Sequence, residues 1–168
     1  MTNKLTNVLS PIVDTSTKVL IVGSMPSKLS LEKQQYYGNP RNHFWPIVGK
    51  ILEVDVPMDY EGRLELLRKH GIGLWDTIAS CERKGSLDAT IRNEKPNDFQ
   101  ALFKHYPNIR LLIFNGSKAF EVFKKHIGFE VLGNRPYKKM PSTSPIPGKN
   151  IKSFEEKLED WRVIGTYL

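Results

Sequence analysis

Two short apolar runs, KVLIVG (Lys18–Gly23) and IRLLIFNG (Ile109–Gly116), limit the folds open to this chain more than any other feature. Each is rich in β-branched and large aliphatic residues, closes on glycine, and lacks the alternation that would leave one face for water. A strand of that kind needs cover on both faces, as in the centre of a parallel sheet. Helical patterns lie between such runs. Phe44–Val54 carries apolar residues at helical spacing, and Tyr60–His70 offers Leu64 and Leu67 to a core before Gly71 stops it. GIGLWDTIAS (Gly71–Ser80) begins as a further strand. Asn97 or Asp98 can cap the helix FQALFKHY, and Ser117 is expected to cap KAFEVFKKHIG, which ends at Gly128. A last strand is expected in Tyr137–Met140 and a closing amphipathic helix in Lys152–Arg162. Residues 24–42 show no clear period and read as a long functional loop, and Cys81–Asp98 reads as a polar loop with little core potential. Strands alternating with helices, without repeat, linker or low-complexity tract, predict one α/β domain over residues 1–168 with a mainly parallel sheet. Right-handed crossovers would gather the loops after Gly23, Asp76, Asn115 and Met140 along one sheet edge.

Several function classes lose support at once. Cys81 is the only cysteine, which removes an intramolecular disulfide and any four-cysteine metal site. No GxGxxG follows a strand, and there is no GxxxxGK[ST], HExxH or Ser–His–Asp order. No apolar run approaches the roughly 20 residues of a membrane span. The first residues lack an apolar signal core, so a cytoplasmic protein is expected. The 25 lysines and arginines exceed the 18 acids, and the charge of +7 favours a polyanionic partner.

The chemistry gathers in the expected loops. QQYYGNPRNHFW (Gln34–Trp45) combines stacking rings, side-chain amides and a cation, groups that suit a flipped base and a phosphate. A helix capped by Asn42 would ask Pro46, which has no N–H, for its first bond. The helix is therefore expected to begin later and leave the Asn42 amide free to hold a water. Asn39, before Pro40, has a turn as its simpler role. Tyr36, Tyr37, Phe44 and Trp45 can sandwich a base, although Trp45 and Ile47 also fit a helical core face. Arg41 suits a phosphate or a surface ion pair, and His43 stays open. Backbone N–H groups in GSMPS (Gly23–Ser27) can face a ligand oxygen, or form an ordinary turn. Asp76 can accept the N1–H of a 6-oxopurine, position water, or cap a turn, and Asp88 carries the same ambiguity. Asn115, with Lys118 close by, ends a strand before a helix N-terminus that can receive an anion. PSTSP (Pro141–Pro145) offers Ser142, Thr143 and Ser144 to a DNA backbone or to turns, and Ile146 is a possible wedge in the base stack.

In this order the segments GSMPS, SLEKQQYYGNPRNHFW, GIGLWDTIASCERKGSLDATI, the NDF at Asn97–Phe99, FNGSKAF and MPSTSP resemble the uracil-DNA glycosylase superfamily, nearest its hypoxanthine-DNA (DNA-deoxyinosine) glycosylase branch. The resemblance implies a three-layer α/β/α domain with a central four-stranded, mainly parallel sheet and DNA across the strand-end edge. It implies monofunctional base excision repair of a deaminated base, without metal or cofactor, with the damaged DNA as partner. A monomer without a membrane partner is expected. Mismatch-specific uracil glycosylases carry a catalytic asparagine in GINPG, where this chain has Met25, and the asparagine of PxNxFW, here Asn42, takes its place. Asn39 stands where the branch often has histidine. The expected base contacts are Ser24, Met25, Pro26, Tyr37, Phe44, Asp76 and Asn115. The expected DNA contacts are Arg41, Lys118, Ser142, Thr143 and Ser144. Uracil or xanthine as substrate, a non-catalytic DNA-binding module, and a small-molecule α/β hydrolase remain the alternatives.

Overall fold

A computed structural model describes residues 3–145 and 151–168. In chain order the elements are β1 (Asn3–Thr6), β2 (Val19–Gly23), α1 (Lys28–Lys33), α2 (Phe44–Leu52), α3 (Tyr60–Lys69), β3 (Ile72–Asp76), β4 (Ile78–Arg83), β5 (Arg92–Pro96), α4 (Phe99–His105), β6 (Leu111–Asn115), α5 (Ser117–Val122), β7 (Tyr137–Met140) and α6 (Phe154–Trp161). The two apolar runs supply β2 and β6, which pair in parallel at the centre of a sheet ordered β3-β2-β6-β7. β3 and β7 flank them, also in parallel.

Period-two geometry divides each central strand between two cores. Val19 and Ile21 of β2, with Leu111 and Ile113 of β6, face Phe44, Ile47, Leu67 and Trp161 of α2, α3 and α6. Leu20, Val22, Leu112 and Phe114 face Phe99, Leu102 and Phe103 of α4, Ala119 of α5, and Phe123 in the π-helical turn that follows α5. Both faces of the sheet are thus covered, and the architecture is the expected three-layer α/β/α sandwich. Gly71 sits at φ +72 beyond α3, and Asp98 caps α4 by accepting from the Ala101 N–H.

Three local expectations are corrected. Residues 24–42 contain α1, capped by the Ser27 hydroxyl accepting from the Ser30 N–H. The helix has only 6 residues, too few to show a period. Cys81–Asp98 is not a loop: β4 and β5 pair antiparallel, and β1 completes a second sheet ordered β1-β4-β5. Its signal was faint because β5 is RNEKP, its pairing with β4 has register shifts, and only a small cluster around Ile78, Cys81 and Ile91 lies beneath it. Ser117 does not cap α5. That place is taken by Gly116 at φ +94, where a Cβ would lie 3.0 Å from the Ser142 Cβ. Left-handed backbone and close approach to the 142–144 loop together require glycine.

Candidate active site

The carboxyl ends of β2, β3 and β6 open into a pocket of about 310 Å³. Its walls are the turn after β2, Tyr36 and Tyr37, Asn42, Asp76, the 86–89 turn, Asn115 and residues 142–144. The expected convergence of loops therefore holds for most of the predicted residues.

Asp76 is buried at the end of β3. It is 4% exposed, and its Oδ2 accepts from Asn7 Nδ2 at 3.0 Å. Gly23 faces its other oxygen so closely that a Cβ there would lie 2.5 Å from Asp76 Oδ1. Burial pushes the Asp76 pKa up to about 7, with the nearby Asp88 charge adding to the rise, while the Asn7 hydrogen bond and the Arg83 charge oppose it. Asp88 belongs to an exposed turn, yet its carboxylate turns inward and accepts from Ser24 Oγ at 3.1 and 3.2 Å. Local burial raises its pKa against the Ser24 bond and the Arg83 and Lys118 charges.

The turn after β2 offers donors. Among the described residues nothing accepts from the backbone N–H groups of Ser24, Met25 and Ser27. Pro26 has no N–H, and its carbonyl accepts from Arg83 Nη2 at 2.8 Å. The Met25 side chain packs with Ile78, Cys81, Ile91 and Val122.

Asn42 lines the pocket half-buried, but its amide is only partly free. Oδ1 accepts from the Phe44 N–H at 2.9 Å, and Nδ2 has no partner among the described residues. α2 does start late, with Ile47 N–H donating to His43 O, as Pro46 requires. Asn39 forms the expected turn, accepting from the Arg41 N–H.

Phe44 is corrected as a base contact: it is 0% exposed and does not line the pocket. It stacks behind Tyr37, ring centroids 4.0 Å apart and planes at 21°. Asn115 is committed within the protein, its Nδ2 donating to Tyr37 Oη and Thr143 Oγ1 and its Oδ1 accepting from the Thr143 N–H. It ties β6 to two pocket walls. Thr143, at 1% exposure, belongs to that tie and offers no surface to DNA. Ser142 is exposed and accepts from the Ser144 N–H. Arg41 is exposed, with no partner for its guanidinium among the described residues. Lys118 is half-buried and close enough to Asp88 and Glu94 for its charge to favour both carboxylates, opposing the rise that burial imposes on Asp88. Ile146, the expected wedge, lies outside the described residues.

Four contributors were missed. Asn7 comes from an N-terminal segment without a pattern. Arg83, 1% exposed, was hidden in a charged stretch. Leu87, 43% exposed, is an apolar residue on the pocket rim. Lys157, 4% exposed, donates to Ser144 O at 3.5 Å and contacts His43 Nδ1 at 3.3 Å. Burial lowers the pKa of Lys157, and burial with the Lys157 charge lowers that of His43. Trp161 Nε1 donates to Pro141 O at 3.0 Å, so α6 holds the 141–144 segment at two points. Among the described residues no group of three His, Cys, Asp or Glu gathers for a metal ion, and no helix is long and apolar enough to cross a membrane.

Comparison with known proteins agrees with this geometry. The profile of the Uracil DNA glycosylase superfamily matches residues 10–164. A protein of Methanosarcina acetivorans named Hypoxanthine DNA glycosylase is 38% identical over 156 residues, spanning 91% of this chain and 93% of that one. Its namesake in Methanosarcina barkeri is 36% identical over 154 residues, spanning 90% and 92%. The solution NMR structure of a Methanosarcina acetivorans protein, described as a candidate uracil DNA glycosylase, superposes with a TM-score of 0.79 at 37% identity and covers 94% of both chains. The chain belongs to the uracil DNA glycosylase superfamily.

Proposed function

We propose that this chain is a monofunctional DNA glycosylase that releases hypoxanthine from deoxyinosine, and that the pocket after β2 is its active site. The observation that carries the reading is the meeting, in one pocket, of Asn42, the buried Asp76 and three backbone N–H groups with no acceptor among the described residues. The two Methanosarcina relatives named for hypoxanthine support the choice of base.

DNA docks through Arg41 and the exposed rim around Ser142 and Ser144, favoured by the net charge of +7. Deoxyinosine pairs imperfectly, so flipping it costs less than flipping an undamaged nucleotide. The purine lies along Tyr37, which Phe44 holds in place from behind. Ionised Asp76 accepts the N1–H of hypoxanthine. Adenine would present a lone pair there, so the same carboxylate rejects the undamaged base. The bond between N9 and C1′ breaks with its electron pair going to the base. Asn42 Oδ1 keeps one lone pair for a water, whose oxygen bonds C1′ and whose lost proton ends on the released base. The free N–H groups of Ser24, Met25 and Ser27 stabilise the negative charge as it develops. With water as nucleophile the products are free hypoxanthine and an abasic site in an uncut strand.

The test is single-turnover reaction of labelled duplexes carrying one deoxyinosine, uracil or xanthine, with and without alkali. Alkali-dependent cleavage chiefly at deoxyinosine is expected. Cleavage chiefly at uracil would overturn the choice of base, and DNA binding without base release would overturn the chemistry.

A further inference from the structure

Arg83 has no evident structural reason to be where it is. Its side chain ends β4 at 1% exposure, and among the described residues it forms no ion pair. Nε donates to Gly85 O at 2.9 Å, Nη2 donates to Pro26 O at 2.8 Å, and Nη1 is buried with no partner among the described residues. A buried cation in that state is costly, and an apolar residue of similar volume would serve packing better.

Its place relative to the pocket supplies a reason. A base leaving with the electron pair of the glycosidic bond builds negative charge in a pocket that already holds the carboxylates of Asp76 and Asp88. Among the described residues no lysine or arginine lines that pocket. Arg83 is the buried cation whose charge acts on both carboxylates. It also grips the peptide that joins Pro26 to Ser27. A guanidinium on that carbonyl polarises the peptide, fixes its plane and strengthens the Ser27 N–H as a donor.

We propose that Arg83 is a positioning residue of base release, which orients the Ser24–Ser27 turn toward the departing base and offsets the two carboxylates beside it. The inference rests on the glycosylase reading above. It assigns Arg83 no contact with DNA, so its effect is on bond breaking and not on binding.

The experiment compares wild type with Arg83→Met, Arg83→Lys and Arg83→Met/Asp88→Asn. Single-turnover rates are measured across bases of graded leaving-group acidity, from hypoxanthine to xanthine and from uracil to 5-fluorouracil, alongside DNA affinity and thermal unfolding. Arg83→Met is expected to lose about 100-fold on hypoxanthine, the scale of one lost transition-state donor. The loss should shrink as the leaving group becomes more acidic, steepening the dependence of rate on leaving-group pKa, while DNA affinity holds. Arg83→Lys should restore the wild-type slope. Arg83→Met/Asp88→Asn removes one charge of each sign and should recover part of the rate, a comparison that holds even where Arg83→Met alone folds poorly. An equal loss on every base, or no recovery in the double variant, would overturn the proposal and leave Arg83 a scaffold residue. Absence of base release by the wild type would overturn the glycosylase reading and this inference with it.

Discussion

Asp76→Asn isolates the energy stored in the pocket. The side chain keeps its shape, and its Oδ1 can still accept the Asn7 amide now 3.0 Å from Asp76 Oδ2. What it loses is the titration. The folded protein holds the Asp76 proton up to about pH 7, whereas the ordinary value is 3.8. Between those values the folded state binds more protons than the unfolded one, so the contribution of Asp76 to stability falls as pH rises and levels off above the folded pKa. Integrated, the penalty is about 0.6 kcal/mol at pH 4 and about 4 kcal/mol at pH 8. Asparagine carries none of it. Relative to wild type, the variant should therefore gain roughly 3 to 4 kcal/mol between pH 4 and pH 8. Urea unfolding at half-unit pH intervals measures this directly, with the slope against urea checked for constancy. The same variant should release hypoxanthine far more slowly at every pH, since with its oxygen accepting from Asn7 the amide turns its NH2, a donor, toward the N1–H of the base. Parallel stability curves for the two proteins would refute the burial argument, whatever happened to activity.

Asn42→Ala should lower single-turnover release by about 100-fold or more with DNA affinity unchanged. It should also cost about 1 kcal/mol by stripping the Phe44 N–H of its acceptor, which a melt run beside the rate assay measures. Gly23→Ala places a Cβ 2.5 Å from Asp76 Oδ1. It should destabilise by about 1–3 kcal/mol and displace the carboxylate, with wild-type melting and excision together arguing against that geometry. Leu87→Ala removes an exposed apolar side chain from the pocket rim. Excision from duplex DNA should fall while excision from a single-stranded oligonucleotide is spared, and equal loss on both would make Leu87 a pocket wall and not an aid to flipping.

The layered fold was legible because its signal is the strongest a sequence carries: β2 and β6 are buried on both faces, and every residue in them is apolar until Gly23 and Asn115. The second sheet was not legible because it is held by backbone bonds between polar strands, and backbone bonds leave no mark on side-chain periodicity. The loops carrying Asn42, Asp76, Asn115 and Ser142–Ser144 were placed correctly by topology alone. Their individual roles were harder to read, since a role depends on partners distant in the chain. Phe44 and Tyr37 look alike in sequence, yet one is sealed behind the other. Asn115 looks like a free amide until Thr143, 28 residues away, uses both of its ends. Arg83 was unreadable because nothing in CERKGS distinguishes a buried arginine from a solvated one.

Where the charges of this chain are placed argues for function over stability. The four ion pairs among the described residues involve none of Asp76, Arg83 and Lys157. Two of them join exposed side chains three residues apart, an arrangement that contributes little to folding. The buried charges stand instead around one pocket: Asp76 at its floor, Arg83 behind the turn that carries the free N–H groups, Lys157 under Ser144 and beside the neighbour of Asn42. Each has its charged form disfavoured by burial. A fold selected only for stability would exchange all three for neutral or apolar groups. Their retention is understandable if the reaction needs fixed charges and dipoles, already oriented and shielded from water, at the moment the base departs. Neutral replacements at Asp76 and Arg83 should then share one signature, a protein that resists denaturation at least as well at pH 8 and releases hypoxanthine far more slowly.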